Sequence, residues 1–496
     1  MKRLDQITFT RFVMVLLVLF FHNTGGIYTA AIDVFPFSQL LRSAPTAVSY
    51  LYVLSGFVMA LVYFRPGEKF NVLEYWKARF VRIYPLYIIS FALTCLYYAD
   101  SLFRIKPQKI VANLFVVQAW FPAYAQSFNY SSWSMTVEFF FYAIFPFFVF
   151  WAYRRSTKLL IWGSLALWAV SQAIHFLMWR DILGAYSDFM NYFPLFHLNS
   201  FVLGVVGGIW YLRVGKDLSL KPAVVYATLL GSFLMIAVYT VVSDAIWTDL
   251  PHRMEPMGGL LSPLMILFIV ALALDKSKLA NGLSHPVLVS LGEASYAIYI
   301  LHVPLFWLYE RWLETSGFAD PQNIFATTFL PIMLAIGLLA HFFLDIPLRR
   351  WLRNLLKRIS LRLLLLDLAF LSLIVFTIFR WRFGDGREYQ SYREMERLMF
   401  WLAFFIRPIM GLVFGAYHLE NLHASWRQVI RPLLLSTSLA SILIAAGIYA
   451  GYTTGWLENF PRSIFFIDWF AFLILSLLAR LVFRGLKVYK PDPLPT

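Results

Sequence analysis

The chain of 496 residues carries about fourteen apolar stretches close to twenty residues long, and no other feature restricts its fold as severely. A hydrocarbon core of about 30 Å takes roughly 20 helical residues to cross, and inside it every backbone N–H and C=O must be bonded within the chain. The alternation of apolar and polar residues that a membrane barrel requires is absent, so these stretches are expected to be transmembrane helices. With 60% hydrophobic and only 14% charged residues, the composition excludes an ordinary water-soluble domain. The expected fold class is therefore all-α, a polytopic helical membrane protein.

Ten of the expected spans begin between residues 7 and 326, and four between 362 and 463. With a cytoplasmic amino terminus, the loops on that side hold about twice the Lys and Arg of the other side, which by the positive-inside rule puts both termini in the cytoplasm. The net charge of +15 then belongs to loops facing anionic lipid and calls for no nucleic acid. The lone Cys95 excludes an internal disulfide and a cysteine metal cluster, and neither a metal nor a tightly bound cofactor is expected. The first apolar segment lacks a small-residue cleavage site and is expected to stay as a helix. RRWLRNLLKRISLR, residues 349–362, is the densest basic run, and a boundary near residue 360 would divide residues 1–355 from residues 361–496.

Polar residues inside apolar helices are expensive and mark pathways or sites. In TRFVMVLLVLFFHNTGG, residues 10–26, eleven residues separate Arg11 from His22; at 100° per residue their directions differ by about 20°, so they share one helix face about 16 Å apart in depth. SSWSMTVEFFFYAIFP, residues 131–146, brings Trp133, Ser134 and Glu138 together, the last two one turn apart. Glu138 is expected at a depth similar to His22, and a carboxylate beside an imidazole can orient it while the free nitrogen takes a proton from a hydroxyl. EYWKARFVRIYPLY, residues 74–87, is expected as a cytoplasmic loop leading into the third span. There Arg79 and Arg82 have the spacing and fork geometry that suit phosphate oxygens, although positive-inside charge alone also explains them. SYAIYILHVPLF, residues 295–306, buries His302 with Tyr296 and Tyr299 at helical spacing, an arrangement also open to a structural histidine. Ser55 and Gly56 in LYVLSGFVMA, residues 51–60, suggest close helix packing.

In this order, Arg11 with His22, LSGF at 54–57, RFVR at 79–82, Ser134 through Glu138 and SYAIYILH at 295–302 resemble the acyltransferase 3 family of integral-membrane acyltransferases. The resemblance implies a ten-helix bundle in a bacterial-type inner membrane. Such a bundle takes an acyl group, commonly acetyl, from cytoplasmic acyl-CoA and delivers it to a hydroxyl of a surface glycan or lipid-linked saccharide. It implies His22 and Glu138 as the catalytic centre, and Arg11, Arg79, Arg82, Ser134, Trp133 and His302 as substrate-binding residues. Arg11, near the cytoplasmic surface, stands too far below His22 to stabilise an oxyanion formed there and is expected to bind donor. A covalent acyl-histidine remains an alternative to direct transfer.

Residues 361–496 resemble the four-helix membrane region of polyprenyl-phosphate sugar phosphotransferases and membrane nucleotide-sugar dehydratases, with KPDPLPT where those families continue into a cytoplasmic catalytic domain. The resemblance implies a place beside glycan assembly proteins; an inert fused anchor is the plainer alternative. For the whole chain, the competing functions are a polysaccharide or lipid flippase and a non-catalytic scaffold of a glycan assembly complex.

Overall fold

The computed structural model describes residues 4–22, 44–68, 70–99, 105–181, 187–218, 220–246, 258–384, 386–418, 425–453, 457 and 460–485. Among them the secondary structure is helical, with one isolated bridge between Ile359 and His418. The chain divides into two compact units, Met1–Arg350 and Trp351–Thr496.

The first unit holds α1 (Asp5–His22), α2 (Ala44–Tyr63), α3 (Val72–Tyr97), α4 (Trp133–Tyr153), α5 (Thr157–Asp181), α6 (Leu198–Arg213), α7 (Pro222–Ile246), α8 (Ser262–Leu274), α9 (Pro286–Thr315) and α10 (Pro321–Ala340). A π-helical turn, His341–Asp345, then leads into α11 (Ile346–Arg358). The second unit holds α12 (Leu361–Phe383), α13 (Arg387–Val413), α14 (Trp426–Thr453) and α15 (Arg462–Gly485). Twelve helices of the described residues are long and apolar enough to cross a membrane. Two expected spans fall short: α8 is apolar but has 13 residues, and α13 opens on the charged stretch REYQSYREMER.

Local sequence sets the starts. The Asn71 side chain accepts the Glu74 N–H and caps α3, Asp320 accepts the Asn323 N–H and caps α10, and Pro286 and Pro321 begin α9 and α10 where no amide donor is needed. α3 therefore begins at Val72 and continues past Pro85 to Tyr97, so Lys77, Arg79 and Arg82 are helical. This corrects the expectation of a loop at residues 74–87; the Asn71 cap and the good helix formers after it outweigh the charge density read from sequence.

Burial separates central from peripheral helices. In α2 and α6, 67% of the best apolar window is buried, against 17% in α5 and 22% in α7, whose outward faces are left for lipid. Backbone proximity explains the central pair. Gly56 of α2 and Gly204 and Gly208 of α6 face each other so closely that an added Cβ at Gly204 would lie 2.0 Å from the Val53 carbonyl oxygen, and one at Gly56 2.2 Å from that of Phe201. The expectation of close packing at Ser55 and Gly56 holds, with Gly204 and Gly208 supplying the small-xxx-small partner face.

α1 and α9 make a second close crossing. A Cβ on Gly292 would meet the Thr8 carbonyl oxygen at 2.1 Å, while fourteen residues further along α1 His22 meets His302 of α9. The two helices run parallel, and the glycine sets how near their polar residues come. α4 closes the centre through Phe141, stacked on Phe201 of α6 with centroids 4.5 Å apart.

In the second unit the core is apolar around Phe379, Met399, Ile444 and Phe472, and it encloses two ion pairs. Arg407 of α13 pairs with Asp468 of α15, its guanidinium 4.1 Å from the centre of the Phe472 ring. Arg480 of α15 holds Asp367 of α12 through Nη2 at 3.0 Å and Nη1 at 3.2 Å, with the Ser476 hydroxyl donating to the same carboxylate at 2.7 Å. These pairs tie three helices at fixed depths.

Candidate active site

Inside the first unit lies a cavity of about 750 Å³. Its walls bring together arginines far apart in sequence: Arg11 of α1, Arg65 just after α2, Arg79 and Arg82 of α3, and Arg349 of α11. Two glutamates, Glu138 and Glu293, also line it, so cationic side chains outnumber carboxylates on the wall. Guanidinium forks against few carboxylates in a low-dielectric recess suit a ligand bearing several phosphate oxygens.

Packing holds several of these groups in place. Arg79 donates to the Tyr63 hydroxyl at 2.9 Å and lies against the Tyr63 and Tyr142 rings, 5.2 and 5.6 Å from their centres. Arg349 forms a bidentate contact with Asp345, Nε to Oδ1 at 2.6 Å and Nη2 to Oδ2, and Asp345 also accepts from or pairs with His341 Nδ1 at 3.2 Å. His341 and Asp345 lie at the two ends of the π-turn, and Arg349 follows four residues later, so one helix face carries all three. The wider turn displaces the register at this point, as π-turns at functional sites do. The basic run at 349–362 thus contributes Arg349 to a site in the first unit, a role that loop charge alone concealed; the i, i+4, i+8 spacing of His341, Asp345 and Arg349 was the available signal.

The deep end of the cavity is lined by Ser55, Glu138, Tyr142, Ser134, Tyr299 and Tyr52. Glu138 accepts from the Tyr142 hydroxyl, one turn on, and from Ser55 Oγ at 3.4 Å. One turn before it, Ser134 Oγ lies 2.8 Å from the Tyr299 hydroxyl, which is also 3.1 Å from the Ser131 carbonyl oxygen. On α1 the lining reaches Val15. His22 stands about 10 Å further along the same helix.

There the structure pairs His22 with His302, not with Glu138: His22 Nδ1 is 2.8 Å from His302 Nε2. The expected imidazole–carboxylate pair is corrected by depth. Tyr299 and Ser134 share one level; His302 is one turn beyond it and Glu138 one turn short of it, which puts about 10 Å of helix rise between the imidazoles and the carboxylate. The carbonyl oxygen of Tyr299 is 2.5 Å from His302 Nδ1, and the Tyr130 ring stands edge-on to His22 with centroids 4.9 Å apart.

Of the residues singled out by sequence, Arg11, Arg79, Arg82, Ser134 and Glu138 line one cavity. His22 and His302 form a pair beyond its end, linked to it through Tyr299, which offers its hydroxyl to the cavity and its carbonyl to His302. Trp133 packs on the rings of Tyr192 and His197 instead of facing the cavity. Among the described residues no group of three His, Cys, Asp or Glu is placed to hold a metal ion. Chemically, the arrangement offers guanidinium groups suited to a polyanion at one end of the cavity, hydroxyl and carboxylate groups at the other, and a pair of imidazoles beyond that end.

Residues 4–344 match the family described as acyltransferase domain. The chain is similar to acyltransferase MdmB of Streptomyces mycarofaciens, 30% identical over 275 residues that cover 52% of this chain and 66% of that protein. It is also similar to O-acetyltransferase OatA of Staphylococcus aureus, 27% identical over 298 residues that cover 54% of this chain and 47% of that protein. The chain thus spans about half to two thirds of the length of the curated relatives it matches. No solved structure matches.

Proposed function

Because the chain belongs to the acyltransferase domain family, a multi-pass membrane acyltransferase in its coarse description, we propose that it moves an acetyl group from cytoplasmic acetyl-CoA to a hydroxyl of a surface glycan or lipid-linked saccharide. The observation that carries this reading is the cavity with an arginine end and a histidine pair beyond its other end. CoA is long and polyanionic at one end and carries its thioester at the other, and the site is polarised in the same sense.

In this mechanism Arg11, Arg79, Arg82 and Arg349 hold the nucleotide phosphates. The pantetheine arm, with its two amide groups, passes Ser55, Glu138 and Ser134, whose oxygens accept its N–H groups in a recess where an unmade hydrogen bond costs about 1–3 kcal/mol. His22 takes the proton of the acceptor hydroxyl as its oxygen attacks the thioester carbonyl; the C–S bond breaks, and the CoA sulfur leaves with the proton His22 had taken. Glu138 serves the donor in this scheme, about 10 Å from the imidazoles.

We place the protein in a bacterial inner membrane with both termini cytoplasmic, and assign the second unit the task of holding it beside glycan assembly proteins. The support for the latter is the resemblance of residues 361–496 to the membrane regions of sugar phosphotransferases and dehydratases. Deleting residues 361–496 should leave the chemistry intact and alter the neighbours captured by crosslinking.

The test of the central reading uses inside-out vesicles from cells making the full chain, supplied with acetyl-CoA labelled in the acetyl group. Alkali-labile label in the glycan fraction and release of free CoA thiol are expected together, and both should vanish in His22→Ala. A fully active His22→Ala, or transport of saccharide with no CoA release, would refute it.

A further inference from the structure

His302 is 2% exposed, and both of its ring nitrogens meet polar atoms. The planes of the His22 and His302 rings differ by 6° and their centroids are 5.1 Å apart. That separation exceeds the N···N distance of 2.8 Å by about one ring width, so the two nitrogens point at each other along the line of centres, as an in-plane hydrogen bond requires.

A carbonyl oxygen only accepts, so the contact with Tyr299 puts the His302 proton on Nδ1. In the neutral ring the remaining nitrogen, Nε2, only accepts, and the hydrogen between the rings must come from His22 Nδ1. His22 is left with its lone pair on Nε2. The backbone of α9 therefore dictates, through one intervening ring, which nitrogen of α1's histidine is basic.

We infer that His302 is a positioning residue: with the Tyr299 carbonyl it fixes the Nδ1–H tautomer of His22 and so presents His22 Nε2 as the atom that accepts the proton of the acceptor hydroxyl. This rests on the reading of His22 as the base, and it replaces substrate contact as the role of His302. A second imidazole does here what a carboxylate does elsewhere, orienting the base, but adds no formal negative charge beside it, and the buried His302 therefore needs no counter-ion. In the opposite tautomer Nε2 would carry a hydrogen, and the acceptor hydroxyl would meet a donor where it needs a base. The step balances as before: the acceptor proton moves to His22 Nε2, the C–O bond forms, the C–S bond breaks, and the same proton leaves on the CoA sulfur.

The experiment combines a spectrum with turnover on the full chain. Protein labelled with ¹⁵N-histidine in lipid nanodiscs reports each ring's tautomer from its nitrogen shifts, with His22 assigned by difference against His22→Gln. The expected spectrum shows His22 protonated on Nδ1 and bare on Nε2. His302→Gln, whose amide oxygen can take the place of Nε2 as acceptor, keeps that tautomer; His302→Leu loses it. In acetyl-CoA-fed vesicles, kcat for His302→Leu falls about 10²–10⁴-fold with KM for acetyl-CoA changed by less than about threefold, and His302→Gln recovers at least about a tenth of the wild-type rate. A wild-type His22 protonated on Nε2 overturns the inference whatever the His302 variants do. So does a His302→Leu that keeps its kcat, or that loses activity through KM alone. A fully active His22→Ala defeats the base assignment itself and shows in turnover, so the two failures are distinguishable.

Discussion

Replacing Gly204 by alanine adds one methyl group where the structure has no room for it. The new Cβ would stand 2.0 Å from the Val53 carbonyl oxygen and within 3.0 Å of two more backbone atoms of that residue, and atoms of the α2 backbone cannot swing aside. Real contacts of this kind stay at or beyond 3.0 Å, so α6 must withdraw from α2 by about 1 Å. A gap of that size forfeits about a quarter to a half of each 0.1–0.2 kcal/mol carbon contact across the seam. Some 40–60 contacts, the complement of one buried aliphatic side chain, then lose about 1–6 kcal/mol, with about 3 kcal/mol at the midpoints. Overpacking in cores costs about 1–3 kcal/mol, in agreement. Lipid supplies no hydrophobic force to press the helices back together, so the loss is not recovered elsewhere. α4 is stacked on α6 through Phe141 and Phe201, so the same displacement draws Glu138 away from Ser55, a contact already at 3.4 Å, and should raise KM for acetyl-CoA. Unfolding in bicelles by steric trapping gives the free energy, and Gly163→Ala and Gly231→Ala are the controls. An added Cβ at either control position meets nothing within 4 Å, and a helix-interior glycine replaced there should gain up to about 1 kcal/mol. A Gly204→Ala protein within about 0.5 kcal/mol of wild type would show that the seam is not the packed contact described, and the reasoning would fail.

Three further outcomes follow from particular contacts. Asp345→Asn removes the charge that clamps Arg349 and should raise KM for acetyl-CoA about tenfold, or about 1.4 kcal/mol, with little change in kcat; equal donor affinity in mutant and wild type would detach Arg349 from the donor site. Asp468→Ala strands the buried Arg407 and should cost the second unit about 3–5 kcal/mol, whereas Arg407→Met combined with Asp468→Leu should restore most of it, both read by the same unfolding measurement; a harmless Asp468→Ala would contradict the pair. Tyr299→Phe deletes the hydroxyl that faces Ser134 but leaves its carbonyl on His302, so donor KM should rise more than kcat falls; a collapse of kcat alone would tie the hydroxyl to the chemistry.

Helix type and membrane character were legible because length and hydropathy are local properties. Arg11, Arg79, Arg82, Ser134 and Glu138 were legible because a polar residue in an oily helix needs a reason, and all five line one cavity. Partnership was not legible. A helical wheel gives the face on which Glu138 lies but not its depth relative to another helix, and depth is what separates it from His22. His302 read as solitary because its partner is 280 residues away, brought near by the Gly292 crossing rather than by anything in its own segment. Arg349 was hidden by its company, since in a run of basic residues the one that turns inward looks like the rest. Gly204 and Gly208 gave no signal until Gly56 was placed against them.

The contact between the Tyr299 carbonyl and His302 belongs to the main chain, and mutation cannot delete a main-chain oxygen. Whatever side chain occupies position 299, that acceptor is still supplied. Position 299 can therefore change on its hydroxyl side, which faces the cavity, without withdrawing the acceptor that holds His302 one turn away. In the proposed reaction the side chain at 299 would then shape the donor site while its main chain holds the base in register, two tasks carried by different atoms of one residue.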